Sequence, residues 1–174
     1  KPRLNPDWPV LKTYDRIHLS KIAMPMGGIG TGTISLTGRG GLKDWEIMNR
    51  PAKGFTPHAD WWVTYPLFCL YAKPAGGQAS ARLLEGPIEL HEYEGGSGSI
   101  APNHGYPRYR DCSFSAAYPL AQISFGGEKM PVDARLEAFN PLVPADPDAS
   151  GIPVVVLRYV LTNRTSKRVT ASVC

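Results

Sequence analysis

The sequence holds little with which to build long helices, span a bilayer or grip a nucleic acid. Long stretches free of helix breakers are scarce. Glycine and proline number 18 and 17 of 174 residues, against a combined average of about 12%. Breakers at that density favour short strands and many turns. No apolar run approaches the roughly 20 residues of a membrane-crossing helix. No signal-peptide pattern stands at Lys1, which need not be the true start of the protein. Charge of one sign is also lacking, with a net of only +4 and a pI near 9.0. The densest basic group, Arg164, Lys167 and Arg168, falls in an expected turn. The clustered face that displaces phosphate counterions is therefore missing, and no nucleic-acid partner is expected. Cysteine is sparse: Cys69, Cys112 and Cys174 form an odd set at wide spacings. They match neither a zinc pattern nor a redox motif, which excludes a disulfide framework and fits a reducing, cytoplasmic compartment. Cys69 and Cys112 sit inside apolar runs and read as small core residues.

What the sequence does have is strands. Val132-Asp133-Ala134-Arg135-Leu136-Glu137-Ala138 alternates apolar and charged residues at period two, the mark of a strand with one buried face. Ala121, Ile123 and Phe125 repeat the pattern, as do Cys112, Phe114 and Ala116, and Val169, Ala171 and Val173. Val154 to Leu161 is nearly all apolar, which predicts a strand near the middle of a packed sandwich. Gly38-Arg39-Gly40-Gly41 should join strands around Thr33–Thr37 and Leu42–Met48. Asn163 to Ser166 should link the last two strands as a hairpin. Gly95 to Ser99 reads as a loop, and Val10 to Met24 leaves room for a short helix. The fold expected is an all-β antiparallel sandwich. Its strand pattern is still running at Cys174, so residues 1–174 are expected to be an incomplete region of something larger.

Three motifs invite chemistry. Gly27-Gly28-Ile29-Gly30-Thr31-Gly32 suggests a nucleotide loop, but the dinucleotide fingerprint needs a glycine at Thr33 and a helix beyond it. A strand pattern follows instead, so the glycines are expected to allow a tight backbone path beside a neighbouring element. Asp44 and Glu46 are two apart on an expected strand, which puts their side chains on one face. Their Cα atoms would be about 7 Å apart, a spacing compatible with paired glycosidase carboxylates. The plainer expectation has Trp45 and Ile47 pointing inward and both acids facing water. His58, Asp60, Trp61 and Trp62 form a polar-aromatic cluster that suits either a glycan platform or a buried interface. His18, His91 and His104 are isolated, and no metal or other cofactor is expected. Asp146 and Asp148, in a proline-rich loop, read as turn formers.

Two longer segments carry a resemblance. Ile22-Ala23-Met24-Pro25-Met26-Gly27-Gly28-Ile29-Gly30-Thr31-Gly32 runs on to Gly40-Gly41-Leu42-Lys43-Asp44-Trp45-Glu46-Ile47-Met48-Asn49-Arg50-Pro51. The second is Leu136-Glu137-Ala138-Phe139-Asn140-Pro141-Leu142-Val143-Pro144, with Ser150-Gly151-Ile152-Pro153-Val154 after it. Together they resemble the N-terminal region of glycoside hydrolase family 116, which includes non-lysosomal glucosylceramidases, bacterial β-glucosidases and β-xylosidases. The resemblance covers nearly the whole chain. It implies a β-sandwich packed on a C-terminal (α/α)6 barrel, where a glutamate nucleophile and an aspartate acid/base run a retaining displacement. None of those catalytic positions maps onto this chain. The region alone is therefore expected to be inactive. Its partner would be its own missing catalytic domain, and the β-glycoside substrate would be reached through that domain. Trp45, Arg50, Trp61 and Trp62 are the candidate domain-interface or glycan-contact residues. The competing readings are a free-standing carbohydrate-binding module and a structural interaction domain.

Overall fold

The computed structural model describes residues 12–47, 50–57, 67–92, 103–127 and 129–174. Of these, 47% are strand and 9% helix. The alternating segments found in the sequence build one five-stranded antiparallel sheet. Its strands are β1 (Lys12–Tyr14), β7 (Asp111–Ala117), β8 (Leu120–Gly126), β9 (Val132–Phe139) and β10 (Val156–Asn163), side by side in that order. In β9 the apolar residues Val132, Ala134, Leu136 and Ala138 are buried, while Asp133, Arg135 and Glu137 stand on the half-exposed face. In β8, Ala121, Ile123 and Phe125 point the same way. That inner face needs a cover, because a sheet buries one apolar side against another layer.

Two three-stranded sheets supply it. One has the order β11-β5-β6, from Val169–Val173, Cys69–Pro74 and Ser80–Leu83. The other is the meander of β2 (Ala23–Met26), β3 (Gly32–Thr37) and β4 (Leu42–Ile47). Met24, Met26 and Leu36 from the meander, Leu70 and Ala72 from β5, and the inner residues of β7, β8 and β9 form one apolar cluster. The all-β sandwich expected from the sequence is thus present. Between Lys12 and Met24 the described residues include one short 3-10 helix, Arg16–Lys21, in a breaker-free segment too short for a stable α-helix.

Two expectations about the last strands need correction. The run from Val154 to Leu161 does form β10, but among the described residues it lies at the edge of the five-stranded sheet, not its middle. Leu157, Tyr159 and Leu161 face the core, whereas Val156 and Val160 occupy the outer, half-buried face beside exposed Arg158. Apolar residues on both faces looked like double burial but are one partly buried face packed against the core, with an apolar back. The segment after Asn163 is not a hairpin turn either. β10 pairs with β9, and β11 pairs with β5 in the other sheet. The Asn163–Lys167 bend, closed by the Asn163 side-chain amide donating to the Lys167 carbonyl at 2.8 Å, therefore carries the chain across the sandwich. Gly95 to Ser99 lies outside the described residues.

The central position of β9 sets the first expectation. Leu136 is completely buried, so Leu136→Ala should lower unfolding free energy by about 2–5 kcal/mol. Thr170→Ala on the exposed face of β11 should change it by less than about 0.5 kcal/mol. Chemical denaturation of both variants checks the contrast.

Candidate functional site

The two segments that carry the family resemblance meet in space. The glycine loop between β2 and β3 lies against the connection between β9 and β10. The amide of Ile29 donates to the Ser150 carbonyl at 2.9 Å, and the Asn140 side-chain amide donates to the Gly27 carbonyl at 3.0 Å. Between these bonds the two backbones nearly touch. A Cβ placed on Gly28 would stand 2.3 Å from the carbonyl oxygen of Ile152, a distance at which only glycine fits. Gly32 is confined in the same way, its missing Cβ falling 2.5 Å from the Glu46 carbonyl. β3 follows the loop directly, with no helix to meet a phosphate, so the glycines give a close backbone path as the sequence predicts.

The β9–β10 connection is itself tied down. Ser150 is buried, and its hydroxyl donates to the Val143 carbonyl at 3.0 Å while accepting the Val143 amide at 2.9 Å. Asp146 caps the single helical turn Pro147–Ser150 by accepting the Ala149 amide at 2.9 Å, the turn-forming role expected of it. What this junction leaves outside is apolar. Ile29 is 61% exposed and Ile152 47%, and Val154, whose amide donates to the Ile152 carbonyl, is exposed beside it.

Asp44 and Glu46 do not share a face, and the plainer expectation for β4 is also wrong. Thr33 pairs with Glu46 and Ser35 with Lys43, so two residues of β4, Asp44 and Trp45, oppose the single Ile34 of β3. This is a β-bulge, and one extra residue resets the in-out alternation. Asp44 occupies the left-handed region at φ 51°, which aspartate tolerates better than most residues. As a result Asp44 is buried at 2% exposure, Trp45 is half-buried, and Ile47 is exposed.

The acids are occupied by structure. Asp44 accepts the Gly54 amide at 2.6 Å, Glu46 accepts the Ala52 amide at 3.1 Å, and the Trp45 amide donates to the Phe55 carbonyl at 2.9 Å. Three consecutive residues of β4 thus hold the 52–55 turn. Burial pushes the Asp44 carboxyl up, but the Gly54 amide, the Ser35 hydroxyl and the charges of Lys43 and Lys53 outweigh it and hold the group below its ordinary value. An acid so held is a poor proton donor at neutral pH, and its second oxygen has no hydrogen-bond partner among the described residues. Lys53 Nζ lies 3.9 Å from that oxygen.

Of the other sequence candidates, Arg50 is exposed and lies just past the end of β4. Trp61 and Trp62, with His58 and Asp60, lie outside the described residues. His18 pairs with Asp15 at 2.6 Å. Among the described residues no three His, Cys, Asp or Glu side chains gather as metal ligands, and no helix is long and apolar enough to cross a membrane. A cleft of about 710 Å³ on the five-stranded sheet does contain Asp111 and Asp133. Asp133, however, is ion-paired with Arg164. The junction itself was missed in sequence because Asn140 and Ser150, its polar anchors, look like ordinary loop residues.

Two variants report on this geometry. Gly28→Ala must separate the two backbones and should cost about 1–3 kcal/mol of stability; thermal melting measures it. For Asp44 the sign follows from its lowered carboxyl. Its contribution is fully present above the ordinary carboxylate range, near pH 4, and is lost as pH falls through the lower folded value. Asp44→Asn should therefore flatten the acid limb of the stability curve below about pH 4, measured by denaturation from pH 7 to 2.

No curated protein matches the chain. Residues 23–174 match the family model described as beta-glucosidase 2, glycosyl-hydrolase family 116 N-term. The chain therefore belongs to glycosyl-hydrolase family 116, as the family's N-terminal domain.

Proposed function

We propose that residues 1–174 are the non-catalytic N-terminal region of a retaining β-glycosidase of the β-glucosidase or glucosylceramidase kind. Its task is to support a catalytic helical barrel carried elsewhere in the same polypeptide and to shape the rim of the substrate entrance. Retaining hydrolysis needs two carboxylates about 5–5.5 Å apart, one free to attack and one protonated. Asp44 and Glu46 are committed to the 52–55 turn instead, and Asp133 to Arg164.

The observation that carries the reading is the apolar surface of Ile29, Ile152 and Val154 at a junction with a rigid backbone. Apolar side chains set on fixed backbone suit a permanent domain contact, since little ordering entropy remains to oppose it. Trp45, Arg50, Trp61 and Trp62 are proposed to extend this contact, tryptophan and arginine being the residues that dominate buried interfaces.

The isolated chain should show no turnover of aryl β-glucosides or β-xylosides above background. Turnover abolished by Asp44→Asn or Glu46→Gln would overturn the non-catalytic assignment. In the full-length enzyme, Ile29→Asp or Ile152→Asp should weaken the domain contact by about 2 kcal/mol or more and lower the melting temperature. Thr170→Asp should leave it unchanged. A free-standing binding module makes the opposite forecast: a monomeric chain whose tryptophan fluorescence shifts on adding oligosaccharide.

A further inference from the structure

Cys69 and Cys174 are 105 residues apart in sequence, yet they face each other across the β5–β11 ladder. Val173 pairs with Leu70 in the register, so the next rung is Cys174 opposite Cys69. Both backbone bonds of that rung are made: the Cys69 amide donates to the Cys174 carbonyl at 2.9 Å, and the Cys174 amide to the Cys69 carbonyl at 3.0 Å. Directly opposed residues of an antiparallel pair project from the same face of the sheet. The two thiols therefore leave the backbone side by side. We propose that Cys69 and Cys174 form a modification site, at which a small-molecule disulfide converts two free thiols into a cross-strand disulfide that clips β11 to β5.

The geometry admits the bond. A rung that exchanges both hydrogen bonds sets its Cα atoms about 5.5 Å apart, inside the range of natural disulfides. Its Cβ atoms stand toward the wide end of the cross-strand spacing, about 5.5 Å, against about 3.5–4.5 Å in natural disulfides, so closing the bond requires the two strands to shift by about 1 Å. A bond closed there draws the strands inward, and strained disulfides are the ones most readily reopened by a reductant. Burial pushes the Cys69 thiol up, and a charge on Cys174 pushes it further.

Chemistry starts at Cys174, because Cys69 is half-buried and burial holds its thiol protonated more firmly. The Cys174 thiolate attacks a sulfur of the oxidant disulfide, forming a mixed disulfide and releasing one reduced thiol. The Cys69 thiolate then attacks the Cys174 sulfur, forming the Cys69–Cys174 bond and expelling the second thiol. Two protein thiols are oxidised, one external disulfide is reduced to two thiols, and the protons pass to the two leaving thiolates. Cys112 takes no part. It is buried in the core, and burial pushes its thiol up to about 12.

Glutathione disulfide is the probe. The reduced chain, incubated with it and then alkylated, should lose two of its three thiols. Peptide mapping should give one species joining the Cys69 and Cys174 peptides, two hydrogens lighter than their sum and cleaved by dithiothreitol. Cys112 should be recovered alkylated after denaturation. Oxidation should raise the melting temperature, with the gain lost on reduction. Cys69→Ser should stop at a glutathione adduct on Cys174, and Cys174→Ser should abolish the cross-link. Should Cys69→Ser fail to fold, Cys174→Ser decides alone. A parent chain that accumulates the Cys174 adduct, or dimers linked through Cys174, without the internal cross-link overturns the proposal.

Discussion

The approach of Gly28 to the carbonyl of Ile152 fixes how the β2–β4 meander sits on the five-stranded sheet. Backbone against backbone leaves no side chain to adjust the distance, so the β2–β3 loop and the β9–β10 connection are set relative to each other by chain geometry alone. The hydrogen bonds from Ile29 to Ser150 and from Asn140 to Gly27 hold the contact from either side. Ser150 braces the connection from within, through its paired bonds to Val143. Interiors packed this closely pass on strain instead of absorbing it. A displacement here would reach both layers of the sandwich.

The bulge in β4 solves a different problem. A regular strand would place Asp44 on the wet face and leave the 52–55 turn without anchors. The extra residue turns Asp44 inward, where its carboxylate replaces water as the acceptor for a backbone amide. The cost is a buried charge with one oxygen lacking a hydrogen bond, and such groups are tolerated only when other donors and charges compensate. Gly54, Ser35, Lys43 and Lys53 do so here.

Much of the fold was legible because period two is a local signal. β7, β8, β9 and the β3–β4 pair follow directly from alternation and from glycine at the turns. The reading failed where the answer was not local. Whether Val156–Asn163 lies at an edge depends on partners that sequence does not name, and whether the bend after Asn163 folds back or crosses over depends on the strand waiting on the other side. The bulge defeated the reading of Asp44 because Lys43-Asp44-Trp45-Glu46-Ile47 alternates well enough to pass for a regular strand. The glycine loop was understood in kind, as a close backbone approach, but not in place, since Ile152 lies more than a hundred residues further on. The family resemblance identified both partners of that contact without revealing that they touch.

The crossing from β10 to β11 has a bearing on how the protein is made. β5 cannot gain its β11 neighbour until about a hundred further residues have been synthesised. At about 5–20 residues per second that is a wait of roughly 5–20 s, far longer than the microseconds in which a β-hairpin closes. During that interval the β5–β6 hairpin presents an open edge to everything around the ribosome. In the finished sandwich β11 covers that edge of β5.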